Sequence, residues 1–140
     1  MSLHEYLCAY GLLPATAIHP SADVSRTARI GAGSHVLARA VVGVDAELGI
    51  ECIVNTAASV DHECKLHDGA HVGPGATICG EVTIGKNAFV GAGAVVLPRL
   101  NVGAAAVVGA GAVVTADVAD GMVVVGNPAK RPVRHRGLVR

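Results

Sequence analysis

The chain has 140 residues, no net formal charge and 51% hydrophobic residues. That length fits one domain. The neutral balance gives no electrostatic case for nucleic acid or an anionic membrane, and no apolar run reaches the roughly 18 residues that span a bilayer. With only two Tyr and one Phe, a core has to be built from Val, Ile, Leu and Ala in thin, similar layers, as in a solenoid.

Residues 1–17 stand apart from the rest. The opening MSLHEYLCAYGL lacks the basic start of a signal peptide, which points to a cytoplasmic protein. Leu3, Leu7 and Tyr10 share the spacing of one helix face. Gly11 and Pro14 then end the pattern, so a short amphipathic helix and a linker are predicted.

Residues 18–119 carry the dominant signal. From Ile18, Val24, Ile30 and Val36 through to Val102, Val108 and Val114, every sixth residue is aliphatic without a break. A hexapeptide period marks a β-helix. Four residues after each aliphatic comes a small one in nearly every repeat, as at Ala40, Ala46, Cys52, Ala58, Cys64 and Ala70. Glycine often follows the aliphatic directly, as at Gly31, Gly43, Gly73 and Gly91. It suits a corner that needs positive φ or close backbone approach. The pattern predicts an all-β parallel helix of five to six triangular coils, each with three six-residue faces. At ~4.8 Å per stacked strand the prism is roughly 27 Å tall. No insertion breaks the register, so function falls to side chains on the outer faces and corners.

Residues 120–140 leave the pattern. Val123 to Pro128 reads as a last strand and turn. The basic tail (Lys130, Arg131, Arg134, Arg136 and Arg140) carries no acid and would attract a phosphorylated ligand. The four cysteines form no C-x-x-C pair and match no zinc module; they read as small buried thiols.

Three segments narrow the reading: Asn55-Thr56-Ala57-Ala58-Ser59-Val60-Asp61-His62-Glu63-Cys64, His71-Val72-Gly73-Pro74-Gly75-Ala76, and Val125-Gly126-Asn127-Pro128-Ala129-Lys130. Together with the hexads, they resemble the hexapeptide-repeat sugar acetyltransferases of the sialic-acid O-acetyltransferase and bacillosamine-pathway N-acetyltransferase group. The resemblance covers about residues 15 to 133. It implies a left-handed β-helix, a homotrimer, acetyl-CoA as acyl donor, no metal, and a sugar amine or hydroxyl as acceptor. Members of the group usually carry an N-terminal Rossmann-like domain. The 140 residues hold no such domain, and residues 3–20 look like the last helix and exit linker of one, as expected either of a truncated sequence or of a natural stand-alone form.

His62 is the candidate general base, because acyl transfer from a thioester needs an amine or hydroxyl stripped of its proton as it attacks. By the resemblance, Glu63 orients the imidazole; Asp61 is the alternative orienter. Gly80 lies one coil above His62 and offers a backbone N–H to the oxyanion of the tetrahedral intermediate. A second column runs through Pro74, Ala92, Ala110 and Pro128. The resemblance places acetyl-CoA along Ala92 and Ala110 and gives His71 a contact with it. The two columns occupy different corners, and a six-residue face extends ~20 Å. An active site shared between subunits of a closed ring is therefore expected. No Cys or Ser stands beside His62 as an outward nucleophile, which favours direct transfer.

Other readings compete. A hexapeptide acetyltransferase with a non-sugar acceptor such as serine differs only in substrate. His62 and His67 mimic part of the zinc-ligand spacing of γ-type carbonic anhydrases, but the position two coils before His62 is Arg26, and His35 is out of register. A catalytically inactive structural β-helix is the third alternative; the threonines form no regular row of the ice-binding kind.

Overall fold

The computed structural model describes residues 3–132. A seven-residue helix, α1 (Leu3–Ala9), opens the chain. It ends at Gly11, whose φ of 74° closes the last turn. The expected apolar face is only partly covered: Leu7 is 38% and Tyr10 70% exposed. Tyr10 packs on the Tyr6 ring at 5.0 Å instead.

The rest is a parallel solenoid. Two-residue strands recur every hexad from Ala17–Ile18 to Val113–Val114, and Val123–Val124 adds a last one. They stack into three sheets of seven, six and five strands. The first holds His71–Val72, the second Ser59–Val60, the third Lys65–Leu66. Each strand pairs with the strand one coil away: Val72 lies between Val54 and Val90, and Ile78 between Val60 and Val96. A chain that visits three sheets in turn returns to each after three hexads, which is the triangular coil that the period predicts.

The hexad explains itself physically. In a strand, neighbouring side chains face opposite ways. The first strand residue points outward, while the aliphatic second is buried at Val36, Val60, Val72, Ile78 and Val90. The small residue four places on is also fully buried, as at Ala40, Cys52, Cys64 and Ala94. There the corners narrow and only Ala, Ser or Cys fits.

One expectation is corrected. The glycines that directly follow the aliphatics do not have positive φ. The left-handed residue comes two places later, and nine such residues are not glycine, among them Arg39 (58°), Glu63 (56°) and Asn87 (55°). The earlier glycines answer to close approach alone: a Cβ on Gly91 would stand 2.5 Å from the backbone nitrogen of Ala110.

The period contracts near the end. Val107 pairs with Val123 and Val102 with Val118, two residues short of the spacing below. Val118 and Val124 thereby stay buried and continue the core. Past Val124 the pairing changes again: the Val113 N–H donates to the Gly126 carbonyl and the Ala129 N–H to the Val113 carbonyl, so the column read from sequence as ending on Pro128 does not follow the 18-residue count. Val125 and Lys130 then close a short antiparallel bridge. Arg134, Arg136 and Arg140 lie outside the described residues.

Candidate active site

His62 sits on the corner between the second and third sheets; Ala92 and Ala110 sit on the corner between the first and second. The left-handed turn at Glu63 swings its side chain outward beside that of its neighbour, which an extended strand would not allow. His62 Nδ1 and Glu63 Oε2 are 3.1 Å apart. A carboxylate only accepts, so Nδ1 carries the hydrogen, and in the neutral ring Nε2 presents its lone pair. Both side chains are about half exposed, at 50% and 61%.

Asp61 has a different task. Its Oδ1 accepts from the backbone N–H of His62 at 2.8 Å, so it fixes the turn and leaves the ring to Glu63. Gly80 is buried directly over the imidazole. Its N–H has no hydrogen-bond partner among the described residues.

The corner N–H groups follow a rule. At this place in the hexad the amide has no use in the coil-to-coil ladder. Side chains cap some of them: Asp68 accepts from Ile50, Asn55 from Thr56 and Asp120 from Ala104. Pro74 and Pro98 stand where no donor is needed. Ala92 and Ala110 are exposed, and their N–H groups are uncapped among the described residues. These two N–H groups lie one coil apart, flanked by small side chains.

His71 projects from the first sheet, between Ile53 and Phe89 in neighbouring strands. The Phe89 ring meets it edge-on at 5.1 Å. Asn55 Nδ2 lies 3.3 Å from its Nε2. Burial pushes the His71 pKa below its ordinary value. Asn55 belongs to the first of the three motif segments, and the signal for its place beside His71 is that it stands two residues past Ile53, the residue paired under His71.

The reading of all four cysteines as buried thiols holds for Cys52 and Cys64 but not for Cys8 and Cys79, which are partly exposed. Cys52 and Cys64 are fully buried, and the Cys64 thiol donates to the Cys79 carbonyl at 3.1 Å. Burial raises the pKa of both. Cys79 stands one coil above Asp61, half-buried, and its pKa is raised by desolvation and by that carboxylate. Among the described residues, no group of three or more His, Cys, Asp or Glu is arranged to hold a metal ion. None of the helices among them is long and apolar enough to cross a membrane.

The structure therefore brings His62, Glu63 and Gly80 together on one corner and keeps Ala92 and Ala110 on another. The surface cavities of about 360 and 370 Å³ lie elsewhere, lined by residues such as Arg29, Lys65, His67 and Lys86 on and beside the third sheet.

Comparison with known proteins agrees with the motif resemblance. A family profile described as bacterial transferase hexapeptide (six repeats) matches residues 63–98. No curated protein matches the chain, but solved structures do. A GDP-perosamine N-acetyltransferase variant from Caulobacter crescentus, with a histidine replaced by alanine and in complex with CoA and GDP-perosamine, is 40% identical; it superposes with a TM-score of 0.92 over 94% of this chain and 62% of its own. The acetyltransferase domain of PglB from Neisseria gonorrhoeae, in complex with acetyl coenzyme A, is 45% identical, with a TM-score of 0.89 over 91% of this chain and 62% of its own. WeeI from Acinetobacter baumannii is 32% identical, with a TM-score of 0.80 over 91% and 63%. The chain thus spans less than two thirds of the length of these relatives. Over its solenoid it is similar to solved bacterial acetyltransferases of the hexapeptide-repeat kind, the group that its own motifs resemble.

Proposed function

We propose that the chain transfers acetyl from acetyl-CoA to the amine or hydroxyl of a sugar, with a nucleotide-linked amino sugar as the favoured acceptor. His62 Nε2 takes the proton of the attacking group as its nitrogen or oxygen bonds to the thioester carbon. Glu63 holds the ring in the required tautomer and stabilises the imidazolium that forms. The Gly80 N–H receives the carbonyl oxygen as it gains charge. Collapse of the tetrahedral intermediate expels the CoA thiolate, which leaves as the thiol once protonated. Ala92 and Ala110 hold the pantetheine arm through their amides, and His71 contacts the donor.

The observation that carries this reading is the 3.1 Å bond from His62 Nδ1 to Glu63, in a chain 40–45% identical to acetyltransferases solved with CoA or acetyl-CoA. The relative that holds CoA and GDP-perosamine together, despite a replaced histidine, supports direct transfer in a ternary complex. Separate corners and an open His62 support a site completed by a second subunit, and three flat faces fit a homotrimer.

The test is thiol release from acetyl-CoA against nucleotide-amino sugars, sialic acids, serine and simple hydroxy acceptors. Release with an amino sugar alone supports the reading; release with serine alone moves the chain to another acceptor class. A mixing experiment addresses the shared site. His62→Ala and Ala110→Trp, each inactive alone, should regain activity when refolded together. Failure to complement, or an active monomer at high dilution, rules out the subunit-interface site.

A further inference from the structure

We propose that Asn55 is a positioning residue: it fixes His71 as the Nδ1–H tautomer, so that His71 meets the acyl donor as a neutral hydrogen-bond donor to a carbonyl oxygen. This rests on the acetyl-CoA reading above and assigns the chemistry of one contact within it.

The argument runs through a single amide. The backbone N–H of Thr56 donates to Asn55 Oδ1 at 2.7 Å. A backbone N–H cannot accept, so the atom facing it has to be the oxygen, and the amide cannot be flipped. The nitrogen Nδ2 is then the atom that faces His71 Nε2, at 3.3 Å. An amide NH₂ only donates. Nε2 must therefore present its lone pair, and in a neutral ring the hydrogen sits on Nδ1.

The surroundings hold the ring neutral. Ile53 and Phe89 flank His71 within the sheet, and neither carries charge. The Phe89 ring touches the imidazole edge-on at 5.1 Å. No carboxylate bonds to His71 among the described residues, in contrast to His62, which has Glu63. Desolvation lowers its pKa below the ordinary value. The two histidines are thus set for opposite tasks by opposite partners. Both carry Nδ1–H, but Glu63 consumes that donor on His62, whereas His71 spends its acceptor on Asn55 and keeps Nδ1–H for a ligand.

The test is long-range ¹⁵N–¹H correlation on the ligand-free full chain, with the His71 signals assigned by comparison with His71→Gln. The expected result is a bare Nε2 and a protonated Nδ1. In Asn55→Ala the two tautomers should mix. In Asn55→Asp the carboxylate accepts, so Nε2 should become protonated and the ring should hold its proton to higher pH. A protonated Nε2 in the parent protein overturns the proposal, as does an Asn55→Ala ring identical to the parent. Should a variant fail to fold, the parent spectrum still decides.

Acetyl-CoA titration then separates this inference from the broader one. A shift of the His71 Nδ1 signal, with kcat/KM for acetyl-CoA falling about tenfold in Asn55→Asp, supports the donor role. The assigned tautomer without any acetyl-CoA shift leaves Asn55 as the positioning residue and removes the acyl donor as its purpose.

Discussion

The imidazole of His62 rests on Gly80: a Cβ added to Gly80 would stand 2.4 Å from Nε2 and 2.6 Å from Cε1. Gly80 has no positive φ, so its backbone would accept alanine. The clash falls on the free end of one side chain. Gly80→Ala should therefore leave the melting temperature nearly unchanged while displacing Nε2 and crowding the adjacent N–H. Loss of geometry and of one oxyanion donor predicts a fall in kcat of about 10²–10³-fold. A variant that melts normally and turns over like the parent would remove Gly80 from the site.

His62 and Glu63 should separate in their effects. His62→Ala should abolish turnover while calorimetry shows acetyl-CoA binding nearly intact, because the proposed donor column is on another corner. Glu63→Gln keeps an acceptor oxygen for Nδ1–H but removes the charge. It should retain a measurable rate, reduced by about 10²-fold. Equal loss of binding and turnover in His62→Ala would argue against its role as a base.

Two neighbouring glycines should fail for different reasons. Gly91→Ala drives a Cβ to 2.5 Å from the Ala110 nitrogen, and backbone cannot step aside cheaply. Gly93 has open space around it but a φ of 65°. Gly93→Ala should cost about 1–2 kcal/mol of strain, and Gly93→Asn less, because asparagine tolerates that region. Gly91→Ala and Gly91→Asn should both cost more. Urea melts of the four variants check the order.

The buried thiols set an alkaline limit. Cys52 and Cys64 have pKa values raised above 9.0 in the folded chain. Above 9.0 the unfolded chain ionises first, so the folded state binds more protons and stability falls as pH rises. The loss is complete only once pH passes the folded values. Replacing both cysteines with alanine should flatten the fall between about pH 8 and pH 10, measured as the difference in urea midpoint from the parent.

The repeat made most of the fold legible. A six-residue period with a buried aliphatic and a buried small residue leaves little choice of architecture, and the column that joins His62 to Gly80 follows by counting. The misread points are physical. Glycine after the aliphatic looked like a source of positive φ, but the left-handed turn falls two residues later and is occupied by Arg39, Asp45 and Glu63. The repeated coil-to-coil ladder holds residues there that an isolated turn would reject. Counting also failed past Val114, where two residues drop out. The bond from Asn55 to His71 joins residues 16 apart, so a count of whole 18-residue coils passes it by; it shows only when the residues beside Ile53, under His71, are considered as well.

That dropped pair of residues gives the molecule a ruler with an end stop. Below Val114, adding or removing one whole coil keeps every row in phase, so length can drift without disturbing the rows that remain. Above it, the Gly126 carbonyl accepts from the Val113 N–H, and the chain turns back through the Val125–Lys130 bridge. The row through Ala92 and Ala110 therefore runs up to a turn whose place no count of whole coils predicts.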